Sequence, residues 1–204
     1  MNVNLDGLRN NALADIQRAL SDAIPSMKHI NEFMLLKCAP DLLLGGYFPN
    51  VKEITESMAA YDAVRNYGWD KGFRWDDPNI QCFVIGDGRT PRTGALFAYR
   101  TKWQVFSIDP QLKTVYSPPF PQRLYVVPRK IEDWACMWEG DTAVIIAVHS
   151  HAPLAIALEK IKARHTLIVA IPCCCGQTIG REPDKEYIDK GILSPKRTVK
   201  IWIK

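Results

Sequence analysis

No stretch of this 204-residue sequence has the roughly 20 consecutive apolar residues that a membrane-spanning helix needs, because every apolar run is short and broken by polar residues, so no membrane association is expected. A large excess of one charge is also missing: 26 Lys and Arg face 22 Asp and Glu, for a net +4. A binder of nucleic-acid backbone is usually more one-sided, so this balance permits an RNA partner without requiring one. Cysteines number only six, and three of them, Cys173, Cys174 and Cys175, are consecutive, which is not the spacing of a disulfide-stapled secreted domain. With no cationic start followed by an apolar signal segment, a reducing, cytoplasmic or otherwise intracellular compartment is expected. Internal repeats, low-complexity tracts and long linkers are absent as well, which argues against repeat arrays and freely moving domains.

What is present is enough for one sizeable core: 47% of the residues are hydrophobic and 24% charged. The charge is unevenly placed. Residues 1–80 hold 8 basic and 11 acidic side chains, whereas residues 81–204 hold 18 and 11. The second stretch is the one a polyanion would meet, although scattered Lys and Arg also make an ordinary solvated face.

Residues 1–80 read as a helical extension ending in an aromatic loop. Leu8, Leu13, Ile16 and Leu20 recur at helical spacing within Leu5 to Ile24, Ile30 to Cys38 suggests a further turn or two before Pro40, and Val51 to Tyr67 places Ile54, Met58, Tyr61 and Val64 on one stripe. Trp69, Phe73 and Trp75 then lie among charges, either to cover a ligand or to pack against the core.

After Asn79 short apolar runs alternate with helical or turn segments, the pattern of a mostly parallel α/β sheet. Strands are expected at 81–85, 103–108, 124–127, 142–148, 167–171 and 198–203, with helices at 93–99 and 152–163 and a weaker one at 131–137. The domain division is therefore 1–80 and 81–204.

The first strand runs into Gly86-Asp87-Gly88, where glycines allow a tight turn and a close approach of backbone to a ligand. The second strand ends at Asp109, and a carboxylate beside the glycine turn can accept both hydroxyl protons of an adenosine ribose. The spacing GDGRTPRTG is not the compact GxGxxG of a dinucleotide site. Gly86, Gly88 and Asp109 are accordingly assigned to a nucleoside-bearing cofactor; the plainer alternative is that they shape a turn. Asp87 is assigned to an amino group of that cofactor, with helix capping as its alternative.

The order of strands, the GDG loop and Asp109 resemble a class I S-adenosylmethionine-dependent methyltransferase. His149-Ser150-His151-Ala152-Pro153 and Pro172-Cys173-Cys174-Cys175-Gly176 look like the methyltransferases that carry a PCC-G segment, a group similar to tRNA ribose methyltransferases. The likeness spans about residues 81–204, and the HSHAP segment departs from the HACG-like ending of that group. It implies a Rossmann-like sheet, S-adenosyl-L-methionine as cofactor, and methyl transfer to an oxygen or nitrogen of RNA. A small-molecule or protein acceptor, or an inactive module that binds RNA or a protein partner, are the alternatives.

For chemistry, a neutral imidazole can take the proton of a hydroxyl or amino nucleophile. His149 is the preferred base and His151 a second candidate that orients the acceptor; either can instead satisfy a loop hydrogen bond. Cys174 and Gln177, after the fifth strand, and Arg89 and Arg92, beside the glycine turn, are assigned to the acceptor. Cys173 with Cys175 and a histidine is weighed as a zinc set and placed second, because adjacent cysteines are awkward tetrahedral ligands; no metal is expected. Trp69, Phe73 and Trp75 are weighed as a stacking surface for a base beneath the basic rim, against a role as a plug between helices and sheet.

Overall fold

The computed structural model describes residues 24–113, 120–174 and 177–204. The helix expected from Leu5 lies, apart from Ile24, outside the described residues, as do Cys175 and Gly176. Before the sheet come α1 (Lys28–Met34), α2 (Ala39–Leu44) and α3 (Val51–Gly68). Pro40, read from the sequence as a stop, instead sits in the first turn of α2, where its missing N–H leaves no bond unmade. The side chain of Asn50 starts α3 by accepting the Glu53 N–H at 3.1 Å.

Then follow β1 (Gln81–Ile85), α4 (Arg92–Arg100), β2 (Gln104–Ile108), β3 (Leu124–Val127), β4 (Trp138–Val148), α5 (Leu154–Lys160), β5 (Ile161–Ile171), β6 (Lys185–Ile188) and β7 (Thr198–Ile203). The fold is α/β: one seven-stranded sheet in the order β3-β2-β1-β4-β5-β7-β6, parallel through its first five positions. At the far edge β7 runs antiparallel to both its neighbours.

Several expected boundaries move. The helix expected over 152–163 is only the seven residues of α5, and β5 begins at Ile161, because Ile161 to Thr166 pair in register with Trp138 to Ala143 of a longer β4. The weak helix at 131–137 is a turn followed by irregular chain. The short polar strand β6, KEYI, had no apolar alternation to betray it and is held by β7.

Alternate residues along the strands face two different covers. Val84, Val105, Val144, Ile146, Leu167, Val169 and Ile201 share one buried cluster with side chains of α1 to α4, among them Phe33, Leu42, Met58 and Phe97, so the N-terminal helices and the sheet have a common core. Phe83, Ile145, Ile168 and Trp202 point the other way, against α5 and the rings of Phe106, Trp134 and Trp138. No helix among the described residues is long and apolar enough to cross a membrane.

The aromatic loop belongs to the helical side. Trp75 stacks on Tyr61 and Trp103, with centroids 5.1 and 5.2 Å apart, while Phe73 is buried. The Trp103 indole donates to the Arg74 carbonyl and the Lys102 N–H to that of Trp75. These contacts fix the loop at the amino ends of β1 and β2, opposite the glycine turn. Phe73 and Trp75 form the plug between helices and sheet, whereas Trp69 is exposed with the Arg74 guanidinium over its ring; Arg100 and Lys102 lie at that same end.

Candidate functional site

The pairing register brings the sequence motifs together. Ile85 lies opposite Ile108, so the turn after β1 and the residue after β2 leave the sheet side by side. Gly86 N–H donates to the Ile108 carbonyl at 2.7 Å, and Gly88 N–H to an Asp109 carboxylate oxygen at 2.9 Å. Both glycines have positive φ, +71° and +82°. A side chain at Gly86 would also collide with Ser150, and one at Gly88 with the guanidinium of Arg92. Only glycine satisfies both requirements at these positions.

Beside this turn is a cavity of about 390 Å³, a volume in the range of small-molecule sites. Its walls include Gly86, Gly88, Ile108, Asp109, Ile131, Glu132, His149 and His151. It therefore opens at the carboxyl ends of β1, β2 and β4, where the chain turns from building outward on one side of β1 to the other. Asp109 is half-buried; its second oxygen accepts the Gln111 N–H at 2.7 Å, and a carboxylate with two bonds still has acceptor capacity.

Asp87 behaves differently. Its side chain is buried and turned into the protein, accepting Thr93 N–H at 3.0 Å, Gly94 N–H at 2.9 Å and the Ser107 hydroxyl at 2.8 Å. Burial raises its pKa, against the lowering effect of Arg92 and of those donors. The assignment of Asp87 to a cofactor amino group is corrected: its carboxylate caps α4 and is not among the cavity walls. Besides Asp109, the cavity wall holds a second acidic residue, Glu132, in a loop where nothing in the sequence marked it.

Arg92 is likewise turned inward, donating to the Asp87 carbonyl and lying 3.5 Å from Glu53, while still forming part of the cavity wall. Arg89 is exposed and borders a neighbouring groove with Thr90, Gln111 and Lys113. Gln177 is buried, and its amide donates to the carbonyls of Ser150 at 2.7 Å and Ala152 at 3.3 Å. It clamps the loop after β4. The expected hydrogen bonding of Gln177 at an open substrate entrance is corrected accordingly.

The two histidines part company. His149 has φ +49°, the one positive value at a non-glycine position among the described residues. Such a conformation is uncommon for a non-glycine residue, although His adopts it more readily than most. Its Nε2 lies 3.3 Å from a carboxylate oxygen of Glu56 and 3.3 Å from the Ser194 hydroxyl. Glu56 comes from α3 and is buried, and burial pushes its carboxyl up. Burial, with the positive charges of Lys52 and Arg92, lowers the His149 imidazole to about 4. His149 is therefore neutral near pH 7. Glu56 was not identified from sequence, because it reads as one more polar residue of a helix.

His151 is exposed at the mouth of the cavity. The register Val148 with Ile171 places it against the chain leaving β5. Its Nε2 is 3.3 Å from Cys173 Sγ and 3.7 Å from Cys174 Sγ. Cys174, assigned to the acceptor, meets His151 and is not part of the cavity wall.

Compared with known proteins, the chain matches no family model and no curated protein. The site must therefore be read from its own geometry.

Proposed function

We propose that this chain is a class I, Rossmann-like S-adenosylmethionine-dependent methyltransferase that acts on an oxygen or nitrogen of RNA. The observation that carries the reading is the cavity at the carboxyl ends of β1 and β2, where the Gly86–Gly88 turn and the Asp109 carboxylate stand together. In open, mostly parallel sheets, ligands occupy the crevice where the strand order reverses, and here that point falls between β1 and β4. The strand order with its antiparallel β7 supports the same reading.

The residues present fit the donor. Asp109 has acceptor capacity left for two ribose hydroxyls, Ile108 and Ile131 offer apolar surface for a base, and Glu132 offers a carboxylate to an amino group. When bound, the donor supplies an electrophilic methyl group on a sulfonium. The chain's part is to align an acceptor, exclude water and take the acceptor's proton as the methyl group moves from sulfur to oxygen or nitrogen. His149 is the base in this scheme: it is neutral near pH 7, lines the cavity, and has the Ser194 hydroxyl to orient its ring, with the Glu56 carboxyl 3.3 Å away. RNA is favoured as acceptor by the exposed Arg89, Lys113 and Lys130 around the two openings.

The test is mass spectrometry after incubation of the protein with isotopically labelled S-adenosylmethionine and separated RNA, protein and metabolite fractions. Label in RNA that is lost in His149→Gln supports the reading. Label confined to the protein or metabolite fraction rejects the acceptor class, and no label in any fraction rejects the methyltransferase.

A further inference from the structure

The sequence argues against a metal because adjacent cysteines are awkward ligands, yet the fold brings a histidine from the loop after β4 to both of them. His151 Nε2, Cys173 Sγ and Cys174 Sγ converge at the ends of β4 and β5, with all three potential ligand atoms within 4.8 Å of one another. The edges of the triangle are 3.3 Å and 3.7 Å from nitrogen to the two sulfurs and 3.6 Å between sulfurs. Zinc with bonds of about 2.3 Å to sulfur and about 2.0 Å to nitrogen, at tetrahedral angles, requires edges of about 3.8 Å between sulfurs and about 3.5 Å from sulfur to nitrogen. The observed triangle differs from that face by only a few tenths of an ångström.

We infer that His151, Cys173 and Cys174 form a three-ligand site for a borderline-soft d10 cation, zinc, at the mouth of the cavity. Two thiolates and a neutral imidazole offset the ion's two positive charges, so loading releases the two thiol protons to solvent. Three protein ligands leave a fourth coordination position for water or another small ligand, as in zinc sites that do chemistry rather than only hold a fold. The thiol and imidazole donor set favours zinc over magnesium or calcium, which prefer oxygen.

A second cluster, His29, Glu32 and Asp62, is also close-set, but its charges are already met. Asp62 accepts a hydrogen bond from Lys28 at 2.5 Å and forms an ion pair with Arg65 at 2.6 Å, and His29 is paired with Asp189 at 2.9 Å. A metal there would have to compete with two built-in cations.

The site stands apart from the methyl-donor reading and is tested without it. The full chain, stripped of metal by a chelator under a phosphine reductant, is loaded with zinc, freed of excess by gel filtration and assayed by plasma mass spectrometry. The expected content is about one zinc per chain in the parent, falling below about a tenth in Cys173→Ser/Cys174→Ser and also reduced in His151→Asn, with unchanged circular dichroism. Cobalt in place of zinc is expected to give a thiolate-to-metal charge-transfer band in the parent that the double variant lacks. No retained zinc, zinc unaffected by both variants, or zinc lost instead in Asp62→Asn would overturn the inference. If the double variant loses its fold, the cobalt band of His151→Asn decides: an unaltered band overturns the site.

Discussion

The two faces of the sheet are built on different terms. Among the described residues, one lies under α1 to α4 and merges with their side chains into a broad cluster; the other has the seven residues of α5 and a set of rings from Phe83, Phe106, Trp134 and Trp138, those of the last three with centroids 5.2 to 6.0 Å from that of Phe83. The cavity opens where these two regimes meet. Ile108 and Ile131 reach it from the α5 side, while Arg92 and His149 reach it from the side backed by Glu53 and Glu56 of α3. That asymmetry gives the cavity a mixed lining, in which apolar surface from Ile108 and Ile131 lies among a few polar and charged groups, as is common in small-molecule sites.

The difference between the two faces should be largest in the core. Leu167 and Ile168 are consecutive in β5, both fully buried, and point to opposite faces. Leu167→Ala is expected to cost about 3 to 5 kcal/mol, because the helices above it cannot easily close the gap, and Ile168→Ala about 2 to 3 kcal/mol. Urea unfolding of the two variants checks this: equal losses would mean the faces are equally rigid, and the reverse order that the α5 side is the more rigid.

Next in size is a pH effect seated in the polar wall. The imidazole of His149 falls from its ordinary 6.5 to about 4 on folding, so the folded protein resists its protonation. Its contribution to stability is therefore complete above about pH 6.5 and lost as the pH falls toward 4, by on the order of 3 kcal/mol. Glu56 has the opposite sign: a raised carboxyl favours the fold at low pH and less so as the pH rises through its folded value. Unfolding of parent and His149→Gln between pH 4 and 7 should show a shallower acid loss in the variant; parallel curves would show that His149 is not the group being titrated.

At the join of the two walls, Gly86→Ala combines a positive φ with a collision on Ser150 and is expected to cost about 2 kcal/mol and to disturb the cavity. A thermal melt unchanged from the parent would refute the close approach of β1 and β4 at this point. The smallest expected effect is at the start of the helical cover, where Asn50→Ala removes the cap of α3 for about 1 kcal/mol; a full replacement by Asp should leave stability nearly unchanged.

Much of the sheet was legible before the structure because its strands are dense in β-branched and apolar residues between turn signals, as in 81–85 and 142–148. The glycine turn and Asp109 were legible for the same reason, since a motif at a strand end needs only the register to bring it beside its neighbour. What escaped was information that sequence does not carry locally. Asp87 looks equally suited to cap a helix or to face a ligand, and only the direction of its side chain separates the two. Gln177 holds backbone carbonyls 25 and 27 residues away. Glu56 and Ser194 meet His149 from opposite ends of the chain, and His151 meets Cys173 across a strand pair, so neither cluster has a spacing to recognise.

Isothermal titration of S-adenosylmethionine into the parent and Asp109→Ala tests whether the glycine turn and Asp109 form the nucleoside-binding crevice proposed for the methyl donor. Saturable one-site binding is expected in the parent, weakened about 10- to 100-fold in the variant as the charged acceptor of the ribose hydroxyls is lost. No binding in the parent, or equal affinity in the two proteins, would contradict it.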